Sequence, residues 1–224
     1  MEQKTLTKIQ AGSGAVFSIF VILHLANTMA AATGAGAYDA FQERFRPFHQ
    51  NPALELTGLA VPLAVHVVAA LSRYLLFGFR FRQKSVRGKL HAITGFYLLT
   101  AIFGHVLATR GPSLFYDFHP GNAGLSFSLW WKPLLFYPYY VVFSCSALYH
   151  TANGLLLAAA AWGWQVPGFF RRGPGFYVPV GLGALGLILG VLALGGLLYE
   201  IPDPTDNDYA RMWESYGVEL GREK

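Results

Sequence analysis

The chain has 224 residues, 54% of them hydrophobic and only 13% charged, with a formal charge of +5 and a single cysteine. That charged share lies well below the ~25% usual for soluble domains, which excludes a soluble enzyme and points to an integral membrane protein. One cysteine excludes an internal disulfide and four-cysteine iron–sulfur ligation within the chain, and the positive charge gathers in short loops, where it reports topology and anionic-lipid contact, not nucleic-acid binding.

Taken in order, the polar start MEQKTLTKIQ lacks the pattern of a cleaved signal, and the first apolar run predicts a helix from about Gly12 to Thr33 carrying His24. Residues 34–52 predict an outer connection with a short amphipathic helix at YDAFQERF. Asn51-Pro52 opens the second helix, in which Pro62 is expected to bend the chain four residues before His66. The basic loop RFRQKSVRGK leads to a third helix from about Leu90 to Thr109, carrying His105. Residues 110–132 read as an outer loop whose Trp130 and Trp131 suit the interface. A fourth helix runs from Pro133 or Pro138 to Trp164 and carries His150. The fifth, roughly 176–199, has neither buried charge nor histidine, and a polar tail follows with a short amphipathic helix near ARMWESYG.

Each apolar run is about the ~20 residues that cross a bilayer. Arg80, Arg82, Lys84, Arg87 and Lys89 fill the second turn, and Lys4, Lys8, Arg171 and Arg172 fall on the same side. Opposite them stand only Arg44, Arg46, Arg110 and Lys132 before the tail. The positive-inside rule then predicts an all-α integral membrane fold with five transmembrane helices, N-terminus in and C-terminus out. Residues 1–200 form the membrane domain, with the first four helices as a cofactor-binding bundle, and residues 201–224 form an outer polar tail.

Ionisable residues at membrane depth are costly, so a histidine in each of four consecutive spans is a functional signal. His24, His66, His105 and His150 recur at intervals of 42, 39 and 45 residues. A b-type haem takes axial imidazoles from facing helices of a bundle. Depth pairs His24 with His105 towards the outside and His66 with His150 towards the inside, two levels separated by ~10 Å of helical rise. Zinc fits poorly, because two levels do not converge on one tetrahedron. Gly58, Gly95, Gly104 and Gly154 leave room for a flat macrocycle or simply for close helix contact. Arg73, two turns after His66, either pairs with propionates of the inner haem or snorkels to the interface. His91 is expected at the interface, where it could line the inner haem edge.

The stretches SGAVFSIFVILHLANT, NPALELTGLAVPLAVHV, RGKLHAITGFYLLTAIFGHVLATRG and ALYHTANGLLLAAAAWGW carry a resemblance across about residues 10–200. Together they are similar to the five-helix dihaem cytochrome b anchor of succinate:quinone oxidoreductases and fumarate reductases. The resemblance implies two haem b groups ligated by His24 with His105 and by His66 with His150. It implies a bacterial or archaeal cytoplasmic membrane. It also implies an FAD flavoprotein and an iron–sulfur subunit as partners on the cytoplasmic face, docked on the basic inner surface. The chain would then be the electron-transfer and quinone-reactive subunit, with no dicarboxylate chemistry of its own, and menaquinone is the quinone expected of the dihaem class.

Quinone chemistry needs a protonatable group close to a haem edge and reachable from the membrane, and the resemblance implies a carboxylate near the outer haem, around the connection after the first helix. Glu43 is the favoured candidate, with Asp39, Glu55, His49, Asp117 and His119 on the same side. Some dihaem fumarate reductases carry a glutamate two residues before the fourth ligand. Leu148 stands there in this chain, so that proton route is not expected. Alternatives are the dihaem cytochromes of formate dehydrogenase or nitrate reductase, where ligands can share a helix, and cytochrome b561, which usually has six spans. A haem-free anchor or transporter would call for buried carboxylates or broken helices.

Overall fold

A computed structural model describes residues 2–34, 36–79 and 81–220 and, of Arg172, the backbone. Among the described residues the fold is all-helical, with five helices long and apolar enough to cross a membrane. This is the architecture of a multi-pass membrane protein. Arg80 of the basic turn lies outside the described residues.

The first span is α1 (Gln3–Ala30), extended by a 3₁₀ turn at Ala31–Thr33. It starts nine residues before Gly12, because QKTLTKIQA has no helix breaker and can run on past the apolar window. An amphipathic helix, α2 (Ala37–His49), follows where YDAFQERF predicts one. The second span, α3 (Pro52–Phe77), opens on Asn51, whose side chain caps the amides of Ala53 and Leu54. Its residues Glu55–Ala60 form a π segment, with the Val61 amide donating to the Leu56 carbonyl. Pro62 explains the widening: it has no amide to donate, and the preceding turn takes up the mismatch.

The third span, α4 (Val86–Phe115), passes straight through Gly111 and Pro112 to end six residues beyond Thr109. Both are buried, and Arg110 is tied by its side chain to Ser113 and Glu55, which holds the extra turn. The expected outer loop contains α5 (Gly121–Trp131). The fourth span is α6 (Pro133–Ala161), the short α7 spans Gly168–Arg172, the fifth span is α8 (Pro174–Leu194), and α9 spans Asp208–Ser215.

Packing follows the small residues. At Gly190 of α8 an added Cβ would fall 2.0 Å from the Thr28 carbonyl, so only glycine permits this approach of α8 to α1. Closely packed neighbours are α1 with α3, α6 and α8, α4 with α6, and α6 with α8. The α3–α4 edge is different. Those two helices are joined by a short turn yet bridged by long side chains, Glu55 with Arg110 and Tyr74 stacked on Phe96 at 5.6 Å.

Two buried cores lie at the end of the bundle opposite the basic turn. Phe127 of α5, Tyr209 and Ala210 of α9 and Leu220 form one cluster, and Ala31, Tyr38, Leu129 and Val191 belong to another. Residues 208–220 thus pack onto the bundle end instead of trailing from it. Asp39 caps α5 by accepting from the Asn122 amide at 2.9 Å, over a Gly121 whose φ is +54°.

Candidate functional site

Four histidines lie half-buried between the first four spans. The helix bounds put them at two matched depths. His24 lies nine residues before Thr33 and His105 ten before Phe115, at the end far from the basic turn. His66 lies eleven residues before Phe77 and His150 eleven before Ala161, towards the basic end. The His24 and His105 rings face each other across α1 and α4, with centroids 5.8 Å apart at 68°. The His66 and His150 rings face each other across α3 and α6, 6.2 Å apart at 87°. Each pair therefore spans one diagonal of the four-helix square.

Second contacts orient the pair nearer the basic end. His66 Nδ1 donates to the Gln10 carbonyl at 2.9 Å, and His150 Nδ1 donates to the His91 carbonyl at 3.1 Å. A carbonyl can only accept, so both rings are held in the tautomer that leaves Nε2 with a free lone pair. Two glycines make room for these rings. A Cβ on Gly14 would fall 2.6 Å from His66 Nδ1, and one on Gly95 would fall 2.8 Å from His150 Cε1. Gly58 and Gly104 face open space, while Gly154 lies beside His91.

Arg73 reaches back to this pair: its Nη1 donates to Gln10 Oε1 at 2.5 Å, and its Nε is buried with no partner. His91 is more involved than its place near a helix start suggests. Its ring stacks on His150 at 4.0 Å and 7°, and its Nδ1 is likewise buried and unpartnered. Gln10 and Gly14 carry no signal in sequence, since one reaches His66 through its backbone and the other acts by lacking a side chain.

At the other pair the orienting contacts are aromatic. His24 stacks on Phe20 at 5.4 Å, and His105 lies 4.8 Å from Phe143. Phe20 in turn touches His49 at 5.8 Å, and His49 Nδ1 donates to the Phe45 carbonyl at 3.0 Å. Burial holds the His49 imidazole below its ordinary pKa, so it is neutral near pH 7. Beside it a groove of about 460 Å³ is lined by Glu43, Arg46, Pro47, Gln50 and Asn51. Arg46 Nε and Gln50 Oε1 are buried there without partners. Of the other acidic candidates, Glu55 is paired with Arg110 and Asp39 caps α5. Burial raises the Asp39 carboxyl above the usual range and lowers the His119 imidazole below its own.

Arg87 is committed inside the bundle. Its Nε donates to the buried Asn153 at 2.5 Å, its Nη1 to the Arg171 carbonyl, and its guanidinium lies 3.5 Å over the Phe176 ring. Among the described residues no group of three or more His, Cys, Asp or Glu side chains converges as a bare metal site. No protein-family model, curated protein or solved structure matches the chain.

Proposed function

We propose that this chain is a dihaem cytochrome b, the membrane anchor of a succinate:quinone oxidoreductase, working between a flavoprotein with its iron–sulfur subunit and membrane quinone. The observation that carries the reading is the pairing of four histidines, each from a different helix, into two facing couples at two depths. The residues present fit the group. Imidazoles face across helix diagonals, the Nδ1 contacts at His66 and His150 leave Nε2 free, and long side chains bridge the α3–α4 edge. Unpartnered buried nitrogens at Arg73 and His91 suit the anionic edge of a haem, as does Arg46 at the far end.

His24 with His105 would hold one haem b, and His66 with His150 the other. When bound, the haems supply one-electron carriers at two depths, which is what an anchor between a peripheral dehydrogenase and a quinone requires. The chain's own residues do the rest. Gln10 and His91 fix the ligand tautomers at one level, and Phe20 and Phe143 pack the imidazoles at the other.

The groove at Glu43, Arg46 and Gln50 is the proposed quinone site, with the Glu43 side chain taking the proton as carboxylate or giving it as carboxylic acid. His49 and Phe20 lie between that groove and His24. By the positive-inside rule the basic end faces the cytoplasm, where Arg82, Lys84 and Lys89 form the docking face for the hydrophilic subunits.

A dithionite-reduced minus oxidised spectrum with a pyridine haemochrome count, on protein purified with haem supplied, tests this. Two haem b per chain are expected, one lost in His24→Ala or His105→Ala and the other in His66→Ala or His150→Ala. Folded protein without haem overturns the reading.

A further inference from the structure

At the basic end, outside the histidine pairs, a groove of about 380 Å³ runs between the start of α1 and the end of α6, lined by Lys4, Thr5, Lys8, Ile9, Gly12 and Trp162. Lys4 and Lys8 are one helical turn apart, and Lys8 Nζ sits 5.3 Å over the Trp162 ring. Among the described residues neither lysine is ion-paired. Trp162 lies against α1 where Gly12 has no side chain: a Cβ there would be 3.7 Å from its ring.

The wall above the groove is apolar and bare. Ile9, Val16, Ile19 and Leu23 are 39%, 47%, 64% and 37% exposed, and their spacing puts them on one face of α1. That stripe rises ~21 Å, more than the ~15 Å of a single leaflet's hydrocarbon. A cation pair, a hydroxyl and an interfacial tryptophan thus stand at the foot of an exposed apolar track.

We infer that this groove is a binding site for an anionic phospholipid of the leaflet at the basic end. Its phosphodiester would lie between Lys4 and Lys8, and an acyl chain along the stripe from Ile9. A soluble anion would use the lysines and leave the stripe bare, and a zwitterionic lipid would bring its own cation towards both ammonium groups. Basic pockets beside membrane helices take such headgroups, each cation adding about fivefold to the attraction.

The test is native mass spectrometry of the purified chain in detergent, with phosphatidylglycerol and phosphatidylcholine of identical acyl chains in competition. Retention of phosphatidylglycerol at least tenfold over phosphatidylcholine is expected. The ratio should fall to within about twofold of unity in Lys4→Gln/Lys8→Gln and stay unchanged in Arg82→Gln/Lys84→Gln, at the same end but outside the groove. Trp162→Leu should weaken retention of both lipids. Equal retention by the wild type, a ratio indifferent to Lys4→Gln/Lys8→Gln, or an equal loss in Arg82→Gln/Lys84→Gln overturns the site. Displacement by inorganic phosphate alone would make it an anion site without lipid. Haem content is not part of the readout, so this outcome is independent of the electron-transfer reading.

Discussion

Glu55 and Arg110 join α3 to α4 through two parallel hydrogen bonds, Nε to Oε1 at 2.8 Å and Nη2 to Oε2 at 2.9 Å. The pair sits on the π segment of one helix and the added turn of the other, so it ties the two helices together at that level. Its side chains are 30% and 21% exposed, between the surface and buried regimes. Glu55→Ala and Arg110→Ala should each lower stability by about 1–3 kcal/mol, with a coupling energy of about 1–2 kcal/mol in the double-mutant cycle. Unfolding in detergent measures it, and a coupling near zero would show that the edge is spaced by something else.

Glycines near the histidines divide into two kinds. Gly14→Ala and Gly95→Ala would each push a methyl into an imidazole and should cost about 1–3 kcal/mol. Both should also weaken the haem proposed between His66 and His150 and leave the other intact. Gly58→Ala and Gly104→Ala meet nothing and should preserve both haems. Visible spectra of the four variants decide, and a haem lost in Gly104→Ala would contradict the geometry.

Gln10 acts twice, by its carbonyl on His66 and by its side chain on Arg73. Gln10→Leu keeps the first contact and removes the second. It should cost about 1–3 kcal/mol for the unpaired guanidinium and, on the dihaem reading, retain both haems and shift the midpoint potential of the one proposed between His66 and His150 alone. Potentiometric titration would show which of the two centres moves.

His49 makes stability depend on pH. Its folded pKa lies below the ordinary 6.5, chiefly through burial, so the unfolded chain takes up its proton first as pH falls. The stability this neutral ring contributes is complete above about pH 6.5 and is lost as pH drops from there through the lower folded value. His49→Gln should flatten that part of the pH–stability profile, and thermal unfolding between pH 7 and 5 would reveal an unchanged slope if His49 were not the group responsible.

The spans and their histidines were legible because long apolar runs and ionisable residues inside them are both local signals. Helix ends were less legible, since neither the polar residues before Gly12 nor the Gly111-Pro112 step stops a helix that is already held by packing. With α4 ending at Thr109, His24 and His105 sit about five residues apart in depth, and its true end at Phe115 brings them level. Gln10, Gly14 and the stacked ring of His91 were hidden for another reason. Each acts across the bundle, through a carbonyl, an absent methyl or a contact 59 residues away in the chain, and no window along α1 or α4 registers that.

The fifth span holds no histidine, yet at Gly190 its backbone meets the Thr28 carbonyl of α1 with no room for a side chain. From α1 hang His24 near one end and the Gln10 carbonyl near the other. A methyl at position 190 could be accommodated only by moving α8 and α1 relative to one another, and any displacement of α1 would misalign both imidazole couples together. Gly190→Ala is therefore expected to disturb the two couples in concert, whereas substitutions at single histidines would take the proposed centres one at a time.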